Sequence, residues 1–270
     1  MTTFATGKTG TIGKFLPKDI VSINLDLESE TSEFLDIPLS SEDVVIHLAA
    51  VVGNNLVEES IDYAHKINVL GTKKLGIAAK EKNIKKFFYI STSHVYENSL
   101  SLKKENDKTS PISAYAIQKL EGEKIVESIF QNYPRKLCIL RIFSLLDLGM
   151  PEHSLGGAIE KLLPIKSQST LKHGEDVRDF LTPLQVAEVI VHLTKIDDAF
   201  GIINVCSGMA TTIRSAAMRM INPSDIERIQ LRIDKGNSNS PKIVGDNSKL
   251  KSLLPKYDLN WKPQPFPIFS

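Results

Sequence analysis

Two side chains that could exchange a proton with a substrate lie four residues apart in the segment from Pro111 to Lys119. Residues four apart on a helix are surface neighbours, so Tyr115 and Lys119 would point the same way. An ammonium about 4 Å from a phenol, at an effective dielectric near 20, favours the phenolate by roughly 4 kcal/mol. We therefore expect Lys119 to lower the pKa of Tyr115 by about three pH units, which would suit a general acid or base. An ordinary solvated helix face is the alternative for an isolated pair of this kind.

Length and charge limit the kinds of protein that the chain can be. A chain of 270 residues can bury a substantial core and form one large domain or two smaller ones. Its formal net charge of +1 gives no basic field of the kind that marks nucleic-acid binders, so we expect no nucleic-acid partner.

Cysteine content and hydropathy predict the compartment. Cys138 and Cys206 both lie in apolar runs, which favours buried structural thiols over a disulfide framework or a metal site. Such thiols fit a reducing compartment. The N-terminus carries no charged and apolar leader, and no run approaches the length of a membrane span. We therefore expect a cytoplasmic protein that has no membrane partner and binds no metal.

A glycine-rich turn follows the short β-prone run from Thr3 to Thr6. Three glycines recur there at intervals of three residues, in the expected order of strand, glycine turn and helix. Glycines let a backbone approach a pyrophosphate closely, and a helix start supplies amide donors with a partial positive charge. This pattern predicts a dinucleotide site, with a plain turn as the alternative. The candidate cofactor-binding residues in the turn are Gly7, Gly10, Thr11, Ile12 and Gly13.

The residues after this turn leave the choice between NAD and NADP open. Ile20 to Leu25 reads as a second strand, and Asp26 lies near the usual spacing of about twenty residues for an acid that meets a ribose hydroxyl. Asp26 favours NAD, whereas Lys8 and Lys14 could accept the extra phosphate of NADP. A solvated loop acid is the alternative for Asp26. The segment between Gly13 and Ile20 is short for a full helix.

A buried strand and a long helix are predicted next. Asp43 to Ala50 is a nearly continuous apolar run ending in small residues, as expected for a strand buried on both faces of a parallel sheet. Within it, His47 reads as a core histidine with its hydrogen bonds satisfied. Apolar residues recur with helical spacing from about Val57 to Lys82, and Asn68 on this helix faces either inward or toward solvent.

Hydroxyl side chains end the next predicted strand, Lys86 to Glu97. Ser91, Thr92 and Ser93 follow its β-prone residues directly. Ligands of open parallel sheets bind outside the carboxyl ends of the strands, so these hydroxyls fall where chemistry is expected. A hydroxyl there can hydrogen-bond a substrate oxygen beside the tyrosine. A simple turn is the alternative.

The order of these motifs resembles the extended short-chain dehydrogenase/reductase family of NAD(P)-dependent nucleotide-sugar epimerases, dehydratases and reductases. The resemblance runs along most of the chain and rests on five segments: Thr6 to Gly13, His47 to Ala50, Asn68 to Thr72, Ser91 to Tyr96, and Pro111 to Lys119. Gly174 to Phe180 is also similar to the family's Arg-Asp-Phe segment. Leu259 to Pro263 is similar to its late tryptophan-proline signature, although core packing is expected for Trp261.

The resemblance implies roles for individual residues. Tyr115 would be the acid/base, and Lys119 would hold the nicotinamide ribose and lower the tyrosine pKa. Thr92 would be the catalytic hydroxyl. Arg178 would meet the substrate's diphosphate, a contact that suits a guanidinium, with a surface salt bridge as the alternative. Asn68 is implied as a structural or relay residue at the cofactor site, together with Leu48, Ala49 and Ala50. Substrate contacts are implied for Ser93 and His94.

Four departures from the family pattern bear on the substrate and the reaction. Ser144 replaces the family's substrate-contacting asparagine, and Leu146-Asp147 replaces a tyrosine-glycine pair. Ser93 and His94 stand where dehydratases carry an acidic pair, so dehydration is disfavoured. Glu97 stands where glycine is usual. The chain is also short at its C-terminus.

We predict a doubly wound α/β fold with a parallel, Rossmann-like sheet. Residues 1–143 would form the NAD(P)-binding domain, joined by a returning strand near 202–206, and residues 144–270 would be largely substrate-binding. The expected activity is reversible hydride transfer between NAD or NADP and a nucleotide sugar, giving 4-epimerisation or keto-sugar reduction. An NAD(P)-binding sensor or assembly protein without turnover is the alternative. The resemblance further implies a homodimer formed through the helices around Tyr63 to Ala79 and Ala116 to Ile129.

Overall fold

The structure is a computed structural model. It describes residues 1–23, 34, 36–97, 101–152, 154–162, 170–171, 173–221, 232–233 and 242–263. Asp26, one of the candidate cofactor-binding residues, lies outside the described residues.

The strands alternate with helices along the chain, as the βαβ pattern of the sequence predicts. The described strands are β1 (Thr3–Thr6), β2 (Val21–Ser22), β3 (Val44–His47), β4 (Lys86–Thr92), β5 (Leu137–Ile142), β6 (Ser144–Leu145), β7 (Thr170–Leu171), β8 (Val177–Arg178), β9 (Phe180–Leu181), β10 (Gly201–Val205), β11 (Thr211–Thr212), β12 (Arg232–Ile233) and β13 (Lys242–Ile243). Every residue of β3, β4 and β5 is buried, which is typical of strands covered on both faces.

The helices cover the sheet and continue into the C-terminal region. Those described are α1 (Asn54–Glu59), α2 (Ile61–His65), α3 (Thr72–Glu81), α4 (Ala114–Ile129), α5 (Leu155–Leu162), α6 (Pro183–Thr194), α7 (Ile213–Met220) and α8 (Ser248–Leu253). A π-helical segment, Lys66–Gly71, joins α2 to α3. The single helix expected from about Val57 to Lys82 is therefore a chain of shorter helical pieces.

Six parallel strands form the central sheet in the order β10, β5, β4, β3, β1, β2. From β1 the chain moves outward to β2 and then returns to the other side of β1 as β3. This reversal creates a crevice at the carboxyl ends of β1 and β3, the place where doubly wound sheets bind their ligands. β10 closes the other edge against β5, so the returning strand expected near 202–206 is present.

Helices pack on both faces of this sheet. On one face, α3 and α4 cover Val45, Phe87 and Ile139 with a cluster that includes Leu75 and Val126. On the other face, α6 and α8 cover a cluster that includes residues of β3, β4, β5 and β10. The result is the three-layer α/β/α sandwich expected for a doubly wound domain.

A second, smaller core lies in the C-terminal region. It contains Leu146, Phe180 and Trp261 together with apolar side chains of α5 and α7. The Trp261 ring packs 5.3 Å from that of Phe180, and its indole Nε1 donates a hydrogen bond to the carbonyl oxygen of Leu146 at 3.0 Å. Trp261 is therefore a core residue, as expected. The boundary proposed at residue 143 is less sharp in space, because α6 and α8 pack on the central sheet.

Candidate active site

An open cleft of about 810 Å³ lies along the carboxyl edge of the central sheet. Loops that follow β1, β3, β4 and β5 form one wall, and the first turns of α4 contribute Tyr115 and Lys119. The C-terminal region forms the opposite wall with segments around Met150, Ser154 and Arg178. Most of the candidate residues line this cleft: Gly7, Gly10, Thr11, Ile12, Gly13, Leu48, Ala49, Ala50, Thr92, His94, Tyr115, Lys119 and Arg178.

The glycine loop after β1 is tight and packs against the end of β3. Gly7 has a φ of +70°, a conformation that L side chains rarely adopt, and a Cβ on it would lie 2.7 Å from the amide nitrogen of Ala49. The amide of Gly10 donates to the Gly7 carbonyl at 3.0 Å, which closes the turn. One turn of 3₁₀ helix follows, Gly13–Phe15, in keeping with the short segment that the sequence leaves between Gly13 and Ile20.

Lys8 holds the loop that follows this turn. Its Nζ donates to the carbonyl oxygens of Pro17 at 3.1 Å and Ile20 at 2.5 Å. The Pro17 carbonyl also accepts from the Ile20 amide at 3.3 Å, so the ammonium reinforces this turn. The ammonium is thus engaged within the loop, which weakens the suggestion that Lys8 meets the phosphate of NADP.

His47 is a core histidine, as predicted. Its Nδ1 accepts a hydrogen bond from the Thr6 hydroxyl at 2.7 Å, and its Nε2 donates to Thr72 Oγ1 at 2.9 Å. This tautomer follows from the neighbours, since the Thr72 hydroxyl itself donates to the Asn68 carbonyl at 2.7 Å. Burial is the main cause that lowers the pKa of His47 to about 3, so the ring is neutral. It ties β1 and β3 to the π-helical segment.

Asn68 is buried, and its side chain contacts protein groups rather than the cleft. Its Oδ1 accepts from the Val51 amide at 2.8 Å, while its Nδ2 donates to the Val51 carbonyl at 3.0 Å and to Gln118 Oε1 at 2.9 Å. The amide group therefore clamps the loop after β3 to the helix that carries Tyr115. This arrangement fits the structural role implied for Asn68 and gives it no direct contact with the cleft.

The end of β4 separates the three residues expected to meet the substrate. Thr92 lines the cleft and accepts from the His94 amide at 3.3 Å, so its own hydroxyl proton has no protein acceptor among the described residues. His94 is exposed to the cleft. Ser93 is fully buried, and its Oγ has no hydrogen-bond partner in the described part of the chain. The expected substrate contact of Ser93 is therefore not formed, because its side chain turns away from the cleft.

Tyr115 and Lys119 lie together in the cleft, as the spacing predicts, but their pKa values move in unexpected directions. Burial raises the pKa of Tyr115 to about 12. Burial also lowers the pKa of Lys119 to about 7, against the opposing effect of Glu123. The expectation that Lys119 lowers the tyrosine pKa is wrong, because burial of the phenol raises it. Removal from water disfavours the charged form of each group, which is the phenolate for Tyr115 and the ammonium for Lys119.

Lys119 is held beneath the cleft by an aromatic ring. Its Nζ lies 4.1 Å from the ring centroid of Tyr89, and its side chain is almost fully buried. The Tyr89 hydroxyl donates to the Lys119 carbonyl oxygen at 3.3 Å. Ring and backbone contacts together fix the lysine in one position, where the cation is attracted by the ring face.

A buried ion pair below the cleft was not found by sequence reasoning. Arg141 donates from Nη2 to Glu123 Oε2 at 2.7 Å and from Nε to Oε1 at 3.0 Å. The Ser91 hydroxyl, at the cleft edge, donates to the same Oε1 at 2.5 Å. Glu123 follows Lys119 by four residues as Lys119 follows Tyr115, so helical spacing was the signal that could have indicated it.

Arg178 faces the cleft from the C-terminal region and is also part of a salt bridge. Its Nη2 lies 3.0 Å from Asp176 Oδ2. Arg178 therefore combines the salt bridge given as the alternative with the position in the cleft that a diphosphate contact requires. The next residue, Asp179, is fully buried and accepts from the Ser207 hydroxyl at 2.6 Å and from the amides of Ser207, Gly208 and Gly245. Asp179 thereby fixes the backbone that presents Arg178, a role that sequence reasoning also missed.

A glycine turn at the strand-order reversal of a parallel sheet, facing a tyrosine and a lysine, defines a nucleotide-binding α/β protein of the Rossmann type. The model of the family described as "NAD dependent epimerase/dehydratase family" matches residues 4–206, and the chain belongs to this family. Family membership and the six-stranded parallel sheet confirm the predicted family and fold. The family's description names NAD, which agrees with the predicted NAD(P) cofactor class.

Similar proteins include enzymes with different reactions. The uncharacterized UDP-glucose epimerase YtcB of Bacillus subtilis is 32% identical over 146 residues, which cover 53% of this chain and 46% of YtcB. The dTDP-D-glucose 4,6-dehydratase of Bos taurus is 26% identical over 253 residues, covering 86% of this chain and 68% of the dehydratase. The chain thus matches about half of the length of the first relative and two thirds of the second.

Solved structures share the fold along nearly the whole chain. RMD from Pseudomonas aeruginosa, complexed with NADPH, superposes with a TM-score of 0.77 and 22% identity, covering 98% of this chain and 94% of RMD. In the described part of this chain, no helix is long and apolar enough to cross a membrane. Among the same residues, no group of three or more His, Cys, Asp and Glu side chains could hold a metal ion.

Proposed function

We propose that the protein is an NAD(P)-dependent oxidoreductase or epimerase that transfers a hydride reversibly at a carbinol or keto carbon of a nucleotide sugar. The observation that carries the proposal is the cleft itself, which brings the glycine loop, Thr92, Tyr115, Lys119 and Arg178 onto one surface. The family membership supports the same class of reaction.

The loop residues fit a dinucleotide. Gly7 and Gly10 put no side chain of their own toward the cleft, and the side chains of Ala49 and Ala50 on the facing loop are small. A pyrophosphate can therefore approach backbone amides closely. The bound nicotinamide ring would supply hydride exchange with the substrate carbon. Lys119, at the cleft floor, is placed to donate hydrogen bonds to a ribose.

Proton transfer is assigned to Tyr115. Because burial raises its pKa, the phenol is protonated in the ligand-free cleft and can donate its proton to a keto oxygen. The Thr92 hydroxyl, whose oxygen already accepts from the His94 amide, can donate a second hydrogen bond to the same oxygen. Both donors favour the direction in which a ketone is reduced. Epimerisation would add the reverse step on the same groups.

Dehydration is disfavoured, although four relatives are named as dTDP-D-glucose 4,6-dehydratases. Loss of water from a sugar needs a group that protonates the leaving hydroxyl. Ser93 and His94 follow Thr92 here, and Ser93 is buried away from the cleft. No carboxylic acid side chain is therefore supplied by this turn.

Arg178 is the proposed anchor of the substrate's diphosphate, which supports a nucleotide sugar as the substrate class. Its guanidinium faces the cleft from the C-terminal wall and can keep Asp176 while it contacts a phosphate. We place the substrate between this wall and Tyr115. On this view residues 144–270 contribute most of the substrate contacts, and residues 1–143 most of the cofactor contacts.

Turnover assays with a Tyr115→Phe variant test the proposal. Purified protein is incubated with UDP- and dTDP-linked sugars and keto sugars in the presence of NAD, NADP or their reduced forms. We expect turnover by the native protein on one of them and a loss of about 10²- to 10⁴-fold in the variant, with cofactor binding retained. Full turnover by Tyr115→Phe would refute the assigned role.

A homodimer is part of the proposal. Five large apolar side chains on α1, α2, the π-helical segment and α4 are 41 to 52% exposed: Leu56, Ile61, Tyr63, Leu70 and Ile117. The elements that carry them contact one another, and exposed apolar side chains grouped on adjoining elements favour a protein interface. Light scattering should give twice the chain mass of 30.0 kDa, and a monomer mass would refute the interface. The two buried free thiols support the further proposal of a reducing, cytoplasmic location.

A further inference from the structure

His94 is a titratable side chain in the cleft to which the hydride-transfer mechanism gives no part. It stands in the 3₁₀ turn that ends β4, and its ring is exposed to the cleft that also contains Tyr115 and Arg178. Its backbone is fixed, since the His94 amide donates to Thr92 Oγ1. A base on this turn lies beside the hydroxyl that is proposed to hold the keto oxygen.

The side chains of His94 and Tyr115 differ in their affinity for a proton. Although the His94 ring meets the open cleft, the protein around it partly shields it from water, and this desolvation together with the positive charge of Arg178 lowers the pKa of His94 and favours the neutral imidazole. Burial raises the pKa of Tyr115 to about 12, so its phenol holds a proton. Environments that separate two groups in this way assign one as base and the other as acid.

We propose that His94 is a general base that removes a proton from the carbon next to the keto group of a nucleotide-linked keto sugar, while Tyr115 protonates the keto oxygen. This activity would be additional to hydride transfer, and it rests on the proposed function for its substrate class. It would let the site exchange the hydrogen on a carbon next to the carbonyl with solvent.

The proton transfers balance without an oxidant or a reductant. His94 takes the proton as the C–H bond breaks, the electron pair of that bond forms a C=C bond, and the carbonyl π pair moves to oxygen. The oxygen takes the phenolic proton of Tyr115, which gives a neutral enol. Return of a proton from the imidazolium to carbon, and of the enol proton to Tyr115, restores the ketone.

Solvent exchange makes this step visible. The imidazolium N–H exchanges with water, so the wild-type protein in D₂O should place deuterium on the carbon next to the carbonyl. The probes are dTDP-4-keto-6-deoxyglucose and its UDP and GDP counterparts. Deuterium is followed by NMR and mass spectrometry, with a sample lacking protein as the background. Hydride transfer is measured in parallel from the absorbance of reduced nicotinamide.

Three variants make the test specific. In His94→Gln, which has no base, we expect the ratio of the exchange rate to the hydride-transfer rate to fall by about 100-fold or more. His94→Glu restores a base at the same place and should recover at least part of that ratio. His192→Gln removes an exposed histidine on α6, distant in the fold from the cleft wall, and should leave the ratio unchanged.

The outcomes separate this inference from the proposed function. Hydride transfer by the wild-type protein without exchange above background, or an unchanged ratio in His94→Gln, would overturn the role of His94. Exchange that depends on His94 with no hydride transfer on any probe would support His94 and overturn the proposed oxidoreductase. Absence of both reactions on every probe would overturn both.

Discussion

Replacing Lys119 by methionine should stabilise the ligand-free protein, and the gain should shrink as the pH rises. The ammonium is 2% exposed, and burial lowers its pKa from 10.5 to about 7. That interval corresponds to about 5 kcal/mol of free energy spent on holding a charge away from water. Methionine has a similar unbranched shape and carries no charge, so it can occupy the site over the Tyr89 ring without this cost.

The sign of the pH dependence follows from proton binding. Between about pH 7 and pH 10.5 the unfolded chain keeps a proton on Lys119 that the folded chain has released. Because the unfolded state binds more protons in this range, the free energy of unfolding of the wild-type protein rises with pH. The wild-type protein thereby recovers the stability that it loses at lower pH by burying the ammonium. The variant lacks this dependence. The difference between the two should fall from about 5 kcal/mol at about pH 6 to roughly 1 kcal/mol at about pH 9.5.

Urea unfolding of both proteins at these two pH values measures the difference directly. Lys124→Met, in the same helix but exposed, is the matched control and should change the free energy of unfolding by less than about 0.5 kcal/mol. A stability gain in Lys119→Met that is equal at both pH values would refute the reasoning, because packing alone would then explain it. A loss of stability at about pH 6 would show that the ammonium has partners that offset its burial.

Other substitutions test the loop, the ion pair and the substrate anchor. Gly7 and Gly149 both have a positive φ, +70° and +65°, but only at Gly7 would a Cβ meet a neighbour. We expect Gly7→Ala and Gly149→Ala each to lower the free energy of unfolding by about 1–2 kcal/mol. Only Gly7→Ala should weaken cofactor binding, which calorimetry can measure. Glu123→Gln leaves the buried Arg141 without its charge partner and should lower the free energy of unfolding by about 3–5 kcal/mol in denaturant titrations. Arg178→Met should raise the Kd for nucleotide sugar about tenfold or more and leave the Kd for cofactor unchanged, in contrast to Gly7→Ala.

Most of the central sheet could be predicted from sequence, because its strands are continuous apolar runs. The run from Leu137 to Ile142 is β5 residue for residue, and the returning strand is β10. The piecewise helix around Asn68 could not be predicted, since helical periodicity does not show that a π-helical segment interrupts it. The loop after Gly13 was indicated only by its short length. Its actual support, the Lys8 ammonium on two carbonyls, depends on contacts that spacing does not reveal.

The candidate site was predicted well in position and less well in chemistry. Helical spacing was enough to bring Tyr115 and Lys119 together, and β-strand ends were enough to place Thr92 and His94 beside them. The sequence did not show that Ser93 faces away from the cleft while Thr92 lines it. These neighbours are chemically similar, and the 3₁₀ turn sets the directions of their side chains. Protonation was also missed. Attraction between two charges can be estimated from spacing, whereas the cost of burying each charge requires the surrounding protein.

Burial of the lysine determines which reaction direction the ligand-free site favours. An ammonium can stabilise a neighbouring phenolate only while it is charged, and Lys119 is close to half neutral at pH 7. The Tyr115 phenol consequently remains a proton donor, with the Thr92 hydroxyl beside it as a second donor. A keto oxygen that enters this cleft beside Tyr115 and Thr92 meets two hydrogen-bond donors. Reduction can begin from this state directly, whereas oxidation of an alcohol first requires Tyr115 to lose its proton.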